Sequence, residues 1–258
     1  MRWNKGASHA YSACLQSTAG LALSSVLLSS LLSIRPLFGQ DQSPTYSLSN
    51  QTSAPAQPAS TQRTLLIMID AAHGGSEPGA VLNAAMPEKD VTLAIARRLR
   101  QELAARGIPA LLVRDNDATI STDQRAQIVN SARPALYVAI HASSQGAGMR
   151  LYTAMLPAAG DNSGPFVDWQ TAQISALARS QWIQEQVTAA IQKTGFPCRS
   201  LIAPLRPLNN VVVASLAVEI APTTSNVSQL ASSDYQQMIT AAIANSIAAI
   251  RGKLESGP

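Results

Sequence analysis

Three apolar runs carry chemically able side chains at their ends. LLIMID (residues 65–70) leads into a glycine-rich turn holding His73, ALYVAIH closes on His141, and VVVASLAVEI reaches Glu219. Strands buried on both faces read as continuous Val/Ile/Leu runs rather than alternating ones, and they belong to parallel sheets flanked by helices. In open α/β sheets of this kind the site forms in the crevice at the carboxyl ends of the strands. The chain has only three histidines, so two of them at strand ends beside a carboxylate predict that His73, His141 and Glu219 converge.

The first 39 residues have a basic start, the apolar stretch AGLALSSVLLSSLLSI and a small residue near PLFGQ. This is the layout of a secretory signal, with cleavage expected close to Gly39 or Gln40. The apolar part falls short of the ~20 residues that a spanning helix needs, so no stable membrane insertion is expected after cleavage. Cys14 lies upstream of the apolar stretch, which disfavours a lipid-modified cysteine. Residues 40–62 are rich in Ser, Pro, Gln and Thr with almost no large apolar side chains, so they read as a disordered linker. The folded domain is expected over residues 63–258. Its location would be periplasmic or extracellular.

The net charge of +4 needs dissecting before it is used. Three of the 19 basic residues, Arg2, Lys5 and Arg35, precede Gly39 and none of the 15 acidic ones does, so the exported chain keeps 16 against 15. That balance gives no nucleic-acid footprint. Cys198 would then be a single thiol that forms no intramolecular bridge, and it reads as a small buried hydrophobe rather than a nucleophile.

Along the domain, a helix is expected from Asp90, its N-cap, to about Arg106, with Val91, Ile95, Leu99 and Leu103 on one face and Gly107 as its stop. Glu88 then lies just before the helix, where the chain leaves the loop. IPALLVR and GMRLYTAML read as strands, residues 170–194 and 233–254 as helices, and CRSLIAPLRPLNN as irregular. Arg114, Arg125 and Asn130 suit an Arg–Asp network ordering a loop. Phe166 and Trp169 are candidates for a substrate groove, with core packing the commoner use. Arg206, Asn209 and Asn210 suit substrate contact or capping of the next strand.

Two histidines and a carboxylate with a fourth position open form the ligand set of a catalytic zinc site. Zinc there can polarise a carbonyl and make water acidic enough to attack an unactivated amide. A second carboxylate must take the proton and hand it to the leaving nitrogen. Glu88 and Glu219 are both candidates for these two roles, and spacing does not assign them.

The segments IDAAHGGSEPGA, PEKDVTLAIARRLRQELAARGI, LLVRDNDATISTDQRAQIVNSA, LYVAIHASS and LAVEIAPTTSN, in this order, resemble the zinc-dependent N-acetylmuramoyl-L-alanine amidases of bacterial cell walls. The likeness runs from about residue 65 to 253. It implies a single α/β domain with a twisted, mostly parallel or mixed sheet of about six strands and helices on both faces. It also implies His73, Glu88 and His141 as zinc (Zn2+) ligands and Glu219 as the catalytic carboxylate. The substrate would be peptidoglycan, cut between N-acetylmuramic acid and L-alanine. Ala71-Ala72 stand where the family has Pro-Gly, Ser143 where it has Asn, and IAPTTSN replaces its usual turn after Glu219. If the family's glycine uses φ > 0, alanine there costs about 1 kcal/mol or displaces His73. Two rival functions share the fold: a peptidoglycan-binding or regulatory module without turnover, and a hydrolase of another amide. The sequence names no protein activator, and an occluding segment over 157–180 is open.

Overall fold

The computed structural model describes residues 65–157 and 168–256. The expected signal, the linker and Phe166 lie outside the described residues.

The first apolar run forms β1 (Ile67–Ala71), buried along its whole length. A short hairpin follows, β2 (Val81–Asn83) with β3 (Met86–Pro87), and the chain enters α1 (Glu88–Ala105) directly. The helix therefore starts two residues before the expected N-cap, Asp90. Pro87 is the N-cap, and a proline entry to a helix forfeits no backbone hydrogen bond. The result for function is that Glu88 stands in the first turn of α1. Then come β4 (Ala110–Leu112), α2 (Thr122–Ala132), β5 (Leu136–Ala142) and β6 (Gly148–Ala154). A 3-10 segment, Trp169–Ala176, precedes α3 (Leu177–Gln192), so the expected helix over 170–194 is two elements, the first of them kinked at Thr171. The remaining large elements are β7 (Cys198–Ala203), β8 (Ser215–Ala221) and α4 (Ser233–Ala249).

Six strands form one sheet in the order β4-β1-β5-β8-β6-β7. All neighbours are parallel except β6 against β8. The chain steps from β1 outward to β4 and then back across β1 to β5, so the strand order reverses between β1 and β5. That reversal leaves a crevice at their carboxyl ends.

Alternation along the strands divides the core. Ile67 and Ile69 of β1 join Val91, Ile95, Leu99 and Leu103 of α1, Ile183 and Val187 of α3, and Ile239, Ile243 and Ile247 of α4 in the larger cluster. Met68 joins Ala126 and Val129 of α2, with Tyr137, Ala139, Leu208 and Val211, in the smaller one. Helices thus cover both faces, and truncating a fully buried residue such as Leu99 to alanine would cost about 2–5 kcal/mol. No helix among the described residues is long and apolar enough to cross a membrane.

A second expectation fails besides the Asp90 cap. CRSLIA is strand β7 and not irregular chain. It is an edge strand with mixed exposure, flanked by Pro197 and Pro204, so it shows neither a continuous apolar run nor clean alternation.

Candidate active site

The turn after β1 places His73 in the left-handed region, at φ 63°. A non-glycine residue there is strained and persists only if its surroundings over-determine it. Two buried arginines do so. Arg114 donates from Nε to the Ala71 carbonyl (2.8 Å) and from Nη2 to that of Ala72 (3.1 Å). Arg125 donates from Nη1 to the Ala71 carbonyl (3.0 Å) and from Nη2 to that of His73 (2.6 Å). Arg125 is itself paired with buried Asp70, whose second oxygen accepts from Tyr137 Oη at 2.6 Å. The expected scaffold role of Arg114 and Arg125 is what the structure shows. Ala72 is not among the residues at positive φ, so alanine in place of the family's glycine carries no left-handed penalty.

Glu88 sits between the two histidines. Its Oε2 lies 3.1 Å from His73 Nε2 and accepts from the Ala80 N–H at 3.0 Å. Its Oε1 lies 3.0 Å from His141 Nδ1 and accepts from the Ala142 N–H at 3.1 Å. Burial alone would raise the Glu88 pKa, but the bonds to His141 and His73 outweigh it and hold the carboxyl well below the usual range. The position at the positive end of α1 favours the anion too. The hydrogen bond to Glu88 raises the His73 pKa, against burial, which lowers it; Glu77, 3.0 Å from Nδ1, adds to the rise. Gly79, at φ +69°, borders the pair, and a Cβ there would fall 2.6 Å from His73 Cδ2 and 2.8 Å from Glu88 Oε2.

One ligand atom from each of His73, Glu88 and His141 lies within 4.8 Å of the other two. Tetrahedral zinc with bonds of about 2.0–2.2 Å separates its ligand atoms by little more than 3 Å. The contacts of 3.0 and 3.1 Å to Glu88 match that spacing, so the donor set fits the metal.

Glu219 is the direct cross-strand partner of His141 in the β5–β8 register and of Arg150 in the β8–β6 register. It is half-buried and stands outside the metal-ligand group. Its Oε1 lies 2.6 Å from Arg150 Nη2 and its Oε2 accepts from Tyr152 Oη at 2.7 Å. Sequence reasoning missed both partners. They alternate along β6 as Arg150-Leu151-Tyr152, and only the position of β6 beside β8 would have connected them to Glu219.

Other candidates take structural roles. Trp169 donates from Nε1 to Asp123 at 3.2 Å, while Asn210 reaches the Trp169 carbonyl and Asn209 that of Met155. Asn130 bonds the Asn210 carbonyl and the Val212 N–H, bracing the entry to β8. Arg206 is exposed. Burial pushes the Cys198 thiol up to about 11, and a protonated thiol is a poor nucleophile.

A mixed six-stranded sheet with two histidines and a glutamate gathered at its switch point defines an α/β domain carrying the donor set of a catalytic metal site. A family profile described as N-acetylmuramoyl-L-alanine amidase matches residues 67–249, and the chain belongs to that family. It is 34% identical over 95 residues to the N-acetylmuramoyl-L-alanine amidase AmiC of Neisseria meningitidis serogroup B, an alignment covering 37% of this chain and 23% of AmiC. The chain thus aligns with about a quarter of that relative. It is 29% identical over 197 residues to YqiI of Bacillus subtilis, covering 74% of this chain and 87% of YqiI. Among solved structures, the N-acetylmuramoyl-L-alanine amidase AmiC2 of Nostoc punctiforme superposes with a TM-score of 0.56 at 25% identity, over 74% of this chain and 99% of that one.

Proposed function

We propose that the protein is a zinc-dependent N-acetylmuramoyl-L-alanine amidase, hydrolysing the amide between the lactyl group of N-acetylmuramic acid and L-alanine in peptidoglycan. The carrying observation is the Glu88 carboxylate set between His73 Nε2 and His141 Nδ1 at 3.1 and 3.0 Å, beside Glu219 on the neighbouring strand. His73, Glu88 and His141 would hold the zinc, which supplies Lewis acidity toward the scissile carbonyl and toward water. Assigning Glu88 to the metal leaves Glu219 for proton transfer. Its carboxylate takes a proton from the attacking water and returns it to the leaving nitrogen as the C–N bond breaks. Family membership and the relatives' names support this substrate. A wall polymer requires an exported enzyme, so residues 1–39 act as a cleaved signal and the mature protein is periplasmic or extracellular.

The test combines bound zinc per chain with muropeptide release from purified sacculi. Wild type should carry about one zinc and release free stem peptides. Glu219→Gln should keep the zinc and lose about 10²–10⁴-fold in rate, the usual range for a positioned proton carrier. Full zinc with no release by wild type would replace the amidase by a binding module.

A further inference from the structure

We propose that Arg150 and Tyr152 are positioning residues that hold the Glu219 carboxylate by both oxygens in the place from which it moves the proton. The proposal rests on Glu219 being the proton carrier of the preceding section. Cross-strand pairing puts His141, Glu219 and Arg150 side by side on one face of the sheet, on β5, β8 and β6. Tyr152 lies two residues along β6 on that same face. Arg150 takes one oxygen at 2.6 Å and Tyr152 the other at 2.7 Å. An ionised carboxylate offers about four acceptor directions, so two are fixed by the protein and two remain for water and for the leaving nitrogen.

The guanidinium is itself confined. The Arg150 side chain is 14% exposed and its Nε is buried without a partner. Its Nη2 also reaches the Gln145 carbonyl at 3.1 Å. Gly146 makes room for it, since a Cβ there would fall 2.7 Å from Nη1. An arginine buried this far with its Nε unsatisfied is held through Nη2, which binds both Glu219 and the Gln145 carbonyl. Burial and then the bond to Glu219 raise the Tyr152 pKa, so at neutral pH the phenol keeps the proton that it donates to Glu219.

The test is a double-mutant comparison on the zinc-loaded full chain, with Arg150→Gln, Arg150→Lys and Tyr152→Phe made in the wild-type and Glu219→Gln backgrounds. Arg150→Gln should lower kcat by up to about 10²-fold, the cost of misplacing a reacting group by about 1 Å, with KM and zinc per chain unchanged. Arg150→Lys should recover part of that loss, and Tyr152→Phe should give a smaller loss of the same kind. In the Glu219→Gln background none of the three should cost anything further. An equal loss in both backgrounds, or a rise in KM alone, overturns the proposal and makes Arg150 a substrate contact. Crystal structures decide it without turnover: Arg150→Gln should displace or disorder the Glu219 carboxylate, and an unmoved carboxylate overturns the proposal. Should wild type release no muropeptide, the amidase reading falls while the crystallographic comparison still decides whether Arg150 positions Glu219.

Discussion

Arg125 holds the backbone of His73, donating from Nη2 to its carbonyl at 2.6 Å while its Nη1 is paired with Asp70 beneath the turn. A buried ion pair is thereby spent on fixing one strained residue of the candidate metal site. Both partners are almost fully buried, and removing one partner of such a pair leaves an uncompensated charge at a cost of about 3–5 kcal/mol. Arg125→Ala should therefore lose that much stability in urea unfolding. Tyr137→Phe removes one donor from Asp70 and should cost about 1–3 kcal/mol. Equal stability of Arg125→Ala and wild type would show that the pair does not brace the turn.

Zinc binding and folding should report on this bracing separately. Arg125→Lys keeps a charge for Asp70 but loses the planar fork that reaches several acceptors at once. We expect it to fold and to bind zinc more weakly, measured by competition with a chelator. Unchanged affinity would mean that His73 holds its φ of 63° without the clamp.

How much of this was legible in the sequence differs from residue to residue. β1, β5 and β8 announced themselves because strands covered on both faces must be apolar at nearly every position. His73, His141 and Glu219 were findable because they terminate those runs. The start of α1 was expected too late, at an Asp90 cap instead of Pro87, which left Glu88 outside the helix. Edge strand β7 and the Arg150–Glu219 pair were illegible for a common reason: both depend on strand order, and nothing local in GMRLYTA says that it pairs antiparallel to β8. Ala72 shows the converse error. The missing glycine suggested strain at Ala72, whereas the left-handed residue is His73. Ala72→Gly should therefore give no rescue, and instead lower stability by about 0.5–1 kcal/mol through backbone entropy. A gain in the melting temperature would contradict this.

The metal-free protein should show an acid-side stability optimum. The His73 pKa is raised above its ordinary 6.5, so its contribution is complete below pH 6.5 and is lost as pH rises through the folded value. The Glu88 pKa is lowered from 4.5, so its contribution is complete above pH 4.5 and is lost as pH falls through the folded value. Both contributions are present together between 4.5 and 6.5. As the proposed ligand, His73 would bind zinc in competition with its proton, so adding zinc should move the optimum upward. Melting curves against pH with EDTA and with zinc measure the shift, and coincident optima would count against His73 as a ligand.

Export predicts a processed protein. The mature N-terminus, read by mass spectrometry from the periplasmic or extracellular fraction, should lie near Gln40, with the folded domain intact after removal of residues 40–62. Recovery of residues 1–30 in the mature protein would contradict the signal reading.

The sharpest separation of the two glutamates comes from Glu88→Gln. The amide keeps an oxygen for the Ala80 or Ala142 N–H but no longer carries the anion that pairs with His73 and that the proposed zinc would need. Zinc per chain should fall, whereas in Glu219→Gln it should hold. In the metal-free form the largest influence raising the His73 pKa is the hydrogen bond to Glu88, so Glu88→Gln should bring that pKa down while Glu219→Gln leaves it in place. NMR titration of the His73 ring reads this directly and requires no turnover. If Glu219→Gln is the variant that loses zinc and lowers the His73 pKa, the roles of the two carboxylates are the reverse of those proposed.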